Sequence, residues 1–520
     1  MTKILLGQSY FLRFDPKLWE AMQPYPPLGT LYAASYLRQH GYEVALFDAM
    51  LADSENEWGK ALDEHQPQYA ILYEDNFNYL SKMCLLRMRE AAFRMIDMAR
   101  SRGCTVILCG ADATDHYQTY LLKGADYVLI GEGEETLIEL LDQLSAGKDL
   151  KSVLGLAYQS SDSNRGSQIV NRQHLHLAQV QVSQIVNRNP RRPDISNLDA
   201  LPFPAWDLVD VEKYRMVWLK KHGYFSMNMV TTRGCPFHCN WCAKPIWGQR
   251  YHSRSPENVA AEMKWLKETY HPDHIWFADD ILGLKPGWLP RFADVLQAQG
   301  SLIPFKCLSR ADLLTREGEV EALARAGART VWMGAESGSQ AILDAMDKGT
   351  RVEQIHEAAR RLKRAGIRVG FFLQFGYPGE TRADIELTIQ LMRDADPDDI
   401  GISVSYPMPG TKFYEAVRDQ LGEKQNWIDS DDLSMLYLGP FNTEFYRKLH
   451  SVVHKEFRAR KAWKSLKSPR SIARLGYNLL TLPVARMQLN SLASKSQVAL
   501  GSLPHMPHEA AATPTPQEER

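Results

Sequence analysis

Three cysteines with the spacing C-x3-C-x2-C lie between residues 231 and 242: Cys235, Cys239 and Cys242. Each thiolate could bind one iron of a 4Fe-4S cluster. Such clusters are normally held by four cysteines, so a loop with three leaves the fourth iron open. An open iron can chelate a small molecule through an amine and a carboxylate. The spacing therefore predicts a cluster that binds a ligand directly.

A zinc site is the alternative for the same cysteines, with His238 or His252 completing a Cys₃His set. Zinc modules usually contain two paired knuckles, and the sequence has no second C-x2-C. Disulfides are not expected, because seven cysteines in a long chain without a signal peptide indicate a reducing compartment. The remaining four cysteines are expected to be core thiols: Cys84, Cys104, Cys109 and Cys307.

The run from Arg233-Gly234-Cys235-Pro236 to Cys242, with Trp241 before the last cysteine, resembles the signature of the radical SAM superfamily, and in particular its cobalamin-binding branch. The resemblance implies that the cluster binds S-adenosylmethionine (SAM) at its open iron, with Trp241 beside it. One electron from a donor such as flavodoxin or ferredoxin would cleave SAM to methionine and a 5′-deoxyadenosyl radical. That radical would take a hydrogen atom from an unactivated carbon.

The length of 520 residues predicts two or three domains, and a hydrophobic content of 44% suits a globular protein. The net charge of −1 provides no overall field that would attract nucleic acid. No stretch approaches the roughly 18 apolar residues that a membrane-spanning helix needs. We therefore expect a cytoplasmic protein that has no nucleic-acid partner, and the resemblance implies a small-molecule substrate.

Residues 1–147 alternate short apolar runs with helical stretches, which predicts an α/β fold with a doubly wound parallel sheet. Strands are expected at 3–6, 43–47, 69–73, 105–108 and 127–130. Ligands of such sheets bind beyond the carboxyl ends of the strands, where the strand order reverses. Glycines at those ends would let the backbone approach a ligand. The candidate binding residues there are Leu28, Gly29, Thr30, Gly110, Gly131 and Gly133.

These segments, taken in order, resemble the Rossmann-like cobalamin-binding domain that precedes many radical SAM barrels. The matching pieces are residues 25–32, residues 41–44 with Asp48, and residues 131–134. The motif Asp-x-His-x-x-Gly, whose histidine binds cobalt, is missing, because the run around His65 precedes the wrong strand and lacks the glycine. The family often has a histidine where Asp112 stands. The resemblance therefore implies cobalamin without a protein histidine on cobalt. A Rossmann-like fold with no ligand is the alternative.

Residues 148–212 are predicted to be a linker. The segment Ser-Gln-Ile-Val-Asn-Arg occurs twice in it, at 167–172 and 183–188, which we interpret as a hairpin or an insertion. Residues 213–424 contain six strand-helix units, with strands near 226, 274, 304, 330, 369 and 401. Six units fit the partial (β/α)₆ TIM-like barrel that the resemblance implies.

Polar residues follow these six strands, and functional groups of barrels gather at the carboxyl ends of strands. The candidate SAM-binding residues there are Asp279, Asp280, Arg310, Glu336, Ser337 and Gly376. The resemblance implies that Glu336 accepts hydrogen bonds from the SAM ribose and that Asp279-Asp280 lies near the methionine amino group. Arg310 could bind the SAM carboxylate with two donors. Ion pairs between strand ends are the alternative role for the two aspartates and the arginine.

Residues 425–500 are predicted to be helical, and residues 501–520, rich in Pro, Ala and Thr, are predicted to be disordered. The segment 447–474 is strongly basic, with Phe457 and Trp463 interleaved. A basic amphipathic helix can make peripheral contact with an anionic membrane, or it can simply present a solvated face.

The resemblance favours a cobalamin-dependent radical SAM methyltransferase, in which a second SAM would remethylate the cobalt. A second possibility is a radical SAM cyclase or rearrangement enzyme, since the family includes the anaerobic Mg-protoporphyrin ester cyclase. A third is a zinc-stabilised interaction protein without enzymatic activity.

Overall fold

The structure, a computed structural model, describes residues 3–79, 83, 85–159, 186–464 and 469–500. Within it the chain forms two compact units, Met1–Leu438 and Gly439–Arg520. Cys84, the first copy of the duplicated hexapeptide, half of the second copy and the tail at 501–520 lie outside the described residues. Among the described residues, no helix combines the length and the apolar character that crossing a membrane requires.

The N-terminal sheet has seven strands in the order β2-β1-β3-β4-β5-β6-β7. The first five strands are parallel and confirm the predicted doubly wound sheet. The last two strands pair antiparallel, so the sheet continues into residues predicted as linker. The strands are β1 (Lys3–Gly7), β2 (Glu43–Phe47), β3 (Tyr69–Tyr73), β4 (Thr105–Cys109), β5 (Tyr127–Leu129), β6 (Leu156–Gln159) and β7 (Val186–Arg188).

Helices cover both faces of this sheet and create two apolar cores. One core gathers around Trp58 and Leu108, and the other around Leu6 and Ile107. The helices of this half are α1 (Pro16–Ala21), α2 (Leu28–Gln39), α3 (Asn56–His65), α4 (Leu86–Arg100), α5 (Ala111–Asp115), α6 (Tyr117–Leu122) and α7 (Glu134–Ser145). The two short helices after β4 are separated at His116, because this residue leaves the helical conformation (φ −121°, ψ 32°).

The second sheet of this unit is a curved, six-stranded parallel sheet with the order β15-β14-β13-β12-β11-β8. It confirms the predicted partial barrel. Its strands are β8 (Ser226–Met229), β11 (His274–Phe277), β12 (Phe305–Ser309), β13 (Ala328–Glu336), β14 (Arg368–Phe375) and β15 (Asp399–Val404). A separate ribbon, β9 (Thr232–Arg233) with β10 (His252–Ser253), rises from the end of β8.

The barrel helices pack on the outer face of this sheet. Ser255 caps the helix that follows the cluster loop, because its hydroxyl accepts a hydrogen bond from the Asn258 N–H and Pro256 begins the helix. The helices are α8 (Val211–His222), α9 (Pro256–Thr269), α10 (Trp288–Gln299), α11 (Ala311–Leu314), α12 (Glu319–Ala326), α13 (Gln340–Ala345), α14 (Val352–Arg364), α15 (Arg382–Ala395) and α16 (Lys412–Val417).

The segment from 425 to 442 is not helical, which corrects the prediction that helix begins near 425. Its first part, residues 425–438, folds against the barrel: the Trp427 ring packs on Tyr406 with centroids 5.0 Å apart, and Tyr437 donates to the carbonyl of Gly376. The second unit contains α17 (Thr443–Lys464) and α18 (Pro469–Leu500), which pack together through Ala459, Ala462 and Leu475. Peripheral membrane contact through these helices stays a prediction.

Candidate functional site

The three cysteines lie on the loop between β9 and β10, at the carboxyl end of the first barrel strand. Gly234 begins the loop with φ 79°, and a Cβ there would overlap the Arg250 carbonyl oxygen, so only glycine fits. Cys235, Cys239 and Cys242 are half-buried, and the Cys242 N–H donates to the Cys239 carbonyl at 3.2 Å. Burial raises the pKa of the Cys235 thiol, and it raises that of Cys242 to about 12. Metal binding would have to displace those protons.

Asp279 anchors the foot of this loop. Its Oδ1 accepts hydrogen bonds from the backbone N–H groups of Thr231 at 2.8 Å and Thr232 at 2.6 Å, and from both threonine hydroxyls. Burial raises the pKa of Asp279 to about 6, and these bonds oppose the shift. Its Oδ2 is buried without a hydrogen-bond partner among the described residues. Asp279 thus positions the loop through one oxygen, and contact of the other with SAM stays a prediction, as does contact through the exposed Asp280.

Arg310, at the end of β12, lies directly against the cluster loop. Its guanidinium stacks 3.5 Å from the ring centroid of Phe237, and Nη1 lies 3.9 Å from the Cys239 sulfur. The other donors bind Asp312 at 2.9 Å and the Lys348 carbonyl at 2.8 Å. The predicted arginine is therefore in the site, with its positive charge beside a cysteine. A bidentate contact with SAM stays a prediction.

Glu336 ends β13 next to a register shift and adopts a left-handed backbone conformation, φ 53°. Such strain in a residue other than glycine persists only where the surroundings enforce it, and it is concentrated at functional sites. Its carboxylate accepts from Lys348 Nζ at 2.7 Å, and both side chains are buried. Burial acts to lower the pKa of Lys348, but Glu336 and Cys239 together raise it above its ordinary value.

The far side of the cluster loop is fixed by Asn240 and Trp241. The backbone of Asn240 bonds Met346 at 3.0 Å and Phe413 at 3.1 Å, and its side chain accepts from the Tyr377 hydroxyl at 2.8 Å. Trp241 packs against an apolar cluster that contains Met346, Tyr377 and Phe413. The barrel thus holds the loop at both ends.

Ser337 and Gly376 lie at the strand ends where they were predicted. Ser337 is fully buried and bonds the Thr388 hydroxyl at 3.1 Å. Gly376 donates its N–H to Glu380 at 2.7 Å and has φ 80°. Both residues therefore shape the rim, and their contact with SAM stays a prediction.

Arg233 joins the cluster loop to the N-terminal sheet in what we call the Arg233 clamp: Arg233, Glu132, Glu134 and Trp247. Nη1 and Nη2 of Arg233 donate to Glu132 and Glu134, each at 2.8 Å, and the Trp247 indole also donates to Glu132 at 2.8 Å. The arginine and both carboxylates are about 95% buried. Burial raises the pKa of Glu132, an effect that Arg233 opposes, whereas the two carboxylates raise the pKa of Arg233 against the effect of burial.

The predicted cobalamin-binding residues do lie at the carboxyl edge of the N-terminal sheet. Several glycines there make room for the chain's own side chains. A Cβ on Gly29 would lie 3.2 Å from Asp75 Oδ1, one on Gly110 would lie 2.7 Å from Glu74 Cβ, and one on Gly133 would overlap Cys109.

The other three predicted residues at this edge are also held by the protein. Leu28 is fully buried, and the Thr30 hydroxyl donates to the Tyr73 carbonyl at 2.6 Å. Gly131 has φ 84°, a conformation in which any side chain would be strained. Its N–H donates to the Thr114 hydroxyl at 3.1 Å. Cobalamin contact by all six stays a prediction.

The same edge carries two polar atoms without partners among the described residues. Gln8 Nε2 follows β1 and Asn76 Oδ1 follows β3, and both residues are buried. Strands β1 and β3 form the point where the strand order reverses, which is where ligands of such sheets bind. Neighbouring this edge is a small cavity, lined by Asp115 and His116 on one side and Tyr406 and Met408 on the other. His65, in contrast, ends α3 before β3, at the opposite edge.

A zinc ion and a 4Fe-4S cluster require different geometries of their donors. Ligands of one zinc ion converge within about 2.3 Å of it. Among the described residues, no three His, Cys, Asp or Glu side chains converge in this way. The three cysteines of one loop suit a cluster, in which each thiolate binds a different iron.

Sequence reasoning missed Lys348 and the roles of Glu132, Glu134 and Trp247. The two glutamates stand in the Gly-Glu-Gly-Glu run, which did signal a loop of interest. Lys348 follows a short helix and carries no local signal, because only the fold brings it to Glu336.

Comparison with known proteins places this site in a family. Residues 229–392 match the model of the radical SAM superfamily. The chain is 28% identical over 410 residues to an uncharacterized methyltransferase of Pyrococcus horikoshii, covering 77% of this chain and 81% of the relative. It is 24% identical to the anaerobic magnesium-protoporphyrin IX monomethyl ester cyclase of Synechocystis sp., covering 90% and 88%.

The fold is that of the cobalamin-dependent S-adenosylmethionine radical enzyme OxsB, whose structure has aqua-cobalamin bound. The TM-score is 0.67 at 18% identity, covering 96% of this chain and 75% of OxsB. The chain thus contains a radical SAM domain within residues 229–392.

The first prediction concerns the Arg233 clamp. Replacing Arg233 with Met should lower the free energy of unfolding by about 3–5 kcal/mol, because two buried carboxylates lose their partner. Urea denaturation followed by tryptophan fluorescence measures this. The matched control is Arg291→Met, whose exposed pair with Glu257 should be worth less than about 1 kcal/mol. Equal losses in the two variants would contradict the clamp.

The second prediction concerns Asp279. Asp279→Ala should reduce the iron bound after anaerobic reconstitution to less than half, since the threonine donors at the foot of the loop become unsatisfied. Asp279→Asn keeps an acceptor oxygen and should retain most of the iron, as should Asp280→Asn. Iron analysis per chain is the readout. Normal iron in the alanine variant would show that the loop does not depend on Asp279.

Proposed function

We propose that this chain is a cobalamin-dependent radical SAM methyltransferase that acts on an unactivated carbon of a small molecule. The observation that carries the proposal is the Arg233 clamp. The residue two positions before the first cluster cysteine is held by the loop that follows β5 of the N-terminal sheet. A cluster on the cysteines and a ligand at the sheet edge would thus face one shared cleft.

The residues present fit the cluster and SAM. Cys235, Cys239 and Cys242 would hold the cluster, and we infer that Glu336, Asp280 and the Asp279 oxygen that has no described partner would orient SAM. When bound, the cluster supplies the electron that splits SAM into methionine and a 5′-deoxyadenosyl radical, while cobalamin supplies a methyl group.

Two positively charged side chains lie next to the cluster loop. Arg310 Nη1 lies beside the Cys239 sulfur, and the Lys348 ammonium interacts electrostatically with the same cysteine. Two cations next to thiolates stabilise their negative charge. Because Glu336 holds Lys348 in place, a single carboxylate links the cluster loop to the position proposed for the SAM ribose.

The sheet edge fits cobalamin through its unpaired polar atoms. Gln8 Nε2 and Asn76 Oδ1 offer a buried donor and a buried acceptor at the point where the strand order reverses. Buried polar groups without partners are costly, so they indicate a missing partner. The amide side chains of a corrin ring supply both complementary groups. His65 lies at the opposite edge, which supports cobalt without that ligand.

A radical SAM cyclase is the second candidate. The alignment with the protoporphyrin ester cyclase of Synechocystis covers 90% of this chain, including the N-terminal half. Product analysis separates the two functions. Methyl transfer consumes two SAM molecules and adds a methyl group, whereas cyclisation leaves the substrate oxidised without an added methyl carbon.

The third prediction tests the cofactors. Anaerobic reconstitution should give about four irons per chain, and Cys239→Ala should lose both the cluster absorption and the formation of 5′-deoxyadenosine. Cys307→Ala, at a buried core cysteine, is the control and should keep both. Cobalamin added to the wild type should be retained on a desalting column with a spectrum lacking histidine ligation, unchanged in His65→Ala. Well-folded protein that retains no cobalamin would refute the methyltransferase proposal.

The fourth prediction concerns Glu336. Glu336→Gln should keep its iron but bind SAM about tenfold more weakly, because hydrogen bonds to a charged acceptor are worth roughly 1.5–3 kcal/mol. Calorimetric titration with SAM on the reconstituted protein measures the affinity. Glu353→Gln, on the exposed side of α14, should behave like the wild type. A Glu336 variant that loses iron and binds SAM normally would make this residue structural.

A further inference from the structure

The inner face of the barrel sheet is partly open. On strands β11 to β13 every second residue is fully buried under the helices, as Ile275, Cys307 and Val331 are. The residues between them point to the other face, and these are only partly buried. Phe372, on β14, is 39% exposed although it lies within a central strand. The inner face is therefore accessible.

Lys306 projects from this face without an anionic partner. Its Nζ lies 4.6 Å from the ring centroid of Trp276 and 5.6 Å from that of Tyr25. Within the part of the chain that the structure describes, no carboxylate or other acceptor hydrogen-bonds this ammonium. Burial lowers the pKa of Lys306 to about 8, with Asp399 opposing the shift. An ammonium that lies against aromatic rings, with no described carboxylate within hydrogen-bonding distance, lacks the close partner that a buried charge normally has.

Two stacked rings lie on the same face, beyond Lys306. Trp332 and Phe372 stack with centroids 4.8 Å apart and an angle of 29°. Glycines beneath them make this possible: a Cβ at Gly370 would overlap the Trp332 ring, and one at Gly401 would lie 3.1 Å from Phe372. The sheet thus presents a flat apolar surface next to an uncompensated cation.

This surface leads to the proposed reaction site. Residues 306, 308 and 310 of β12 alternate onto one face, so Lys306 and Arg310 share it. Arg310 lies four positions beyond Lys306, just after the strand ends, which is about 13 Å along an extended chain. Glu336 likewise lies towards the carboxyl end of β13 from Trp332, past the register shift. An elongated ligand could therefore touch both ends of this face.

We propose that the inner face of the barrel is the substrate site and that its substrate is a flat, apolar molecule with a carboxylate. The carboxylate pairs with Lys306, the apolar body lies on Trp332 and Phe372, and the far end reaches the strand ends at Arg310 and Glu336. The Tyr25 ring lies next to the Lys306 ammonium, and its hydroxyl forms a hydrogen bond with the Ser226 hydroxyl at 2.9 Å. The assignment of a substrate rests on the function proposed above, while the binding site itself does not.

The test compares two probes that differ only in charge, 1-pyrenebutyrate and 1-pyrenebutanol, by calorimetric titration of the cluster-loaded protein. The wild type should bind the acid at least tenfold more tightly than the alcohol. Lys306→Met and Lys306→Gln should bind acid and alcohol equally, with affinity for the alcohol retained, and Lys306→Arg should keep the preference. The exposed Lys285→Met is the control and should match the wild type. Phe372→Ala should weaken both probes.

Absence of a preference for the acid in the wild type would overturn the proposal, as would a preference that survives in both neutral Lys306 variants. Retained binding of the alcohol reports that a variant is folded. Formation of 5′-deoxyadenosine by the wild type is measured in the same preparation. If that reaction is absent while the acid preference depends on Lys306, the proposed function fails and the anion site stands.

Discussion

The buried pairing of Arg233 with two glutamates is the constraint on which the arrangement of this molecule depends. One guanidinium and two carboxylates are almost completely removed from water, where an unpaired charge costs several kcal/mol. The glutamates belong to the loop after β5, and the arginine precedes the cluster cysteines by two residues. Separating the N-terminal sheet from the barrel would leave these charges exposed to water or buried without a partner. The charge pairing therefore sets the position of the cluster loop relative to the sheet edge.

Some side chains at the ends of the barrel strands fix the cluster loop in position, and others line the proposed site. Asp279 turns one oxygen to the threonines at the foot of the cluster loop, whereas its neighbour Asp280 is exposed. At the end of β13, Glu336 has a left-handed backbone conformation and forms an ion pair with Lys348. The ends of neighbouring strands thus carry the residues that hold the cluster loop, while the helices cover the outer face of the strands.

The sequence was sufficient to predict the cluster loop, both parallel sheets and their strand ends, because spacing and apolar periodicity are local properties. It was not sufficient for features that depend on tertiary contacts. Lys348 and Lys306 acquire their importance only from what the fold places beside them. The glycines at 110 and 133 were expected to face a ligand, yet they make room for Glu74 and Cys109. Helix was expected from 425, but this segment packs on the barrel through Trp427 and Tyr437 as irregular chain.

Electron paramagnetic resonance of protein loaded with both cofactors tests the central claim, that the cluster loop and the sheet edge form one site. Reduced cluster and cob(II)alamin are both paramagnetic, so close spins broaden and relax each other's signals. The account predicts a perturbed cob(II)alamin signal in the wild type that becomes unperturbed in Cys239→Ala, which cannot hold the cluster. A cob(II)alamin signal that is identical with and without the reduced cluster would contradict it.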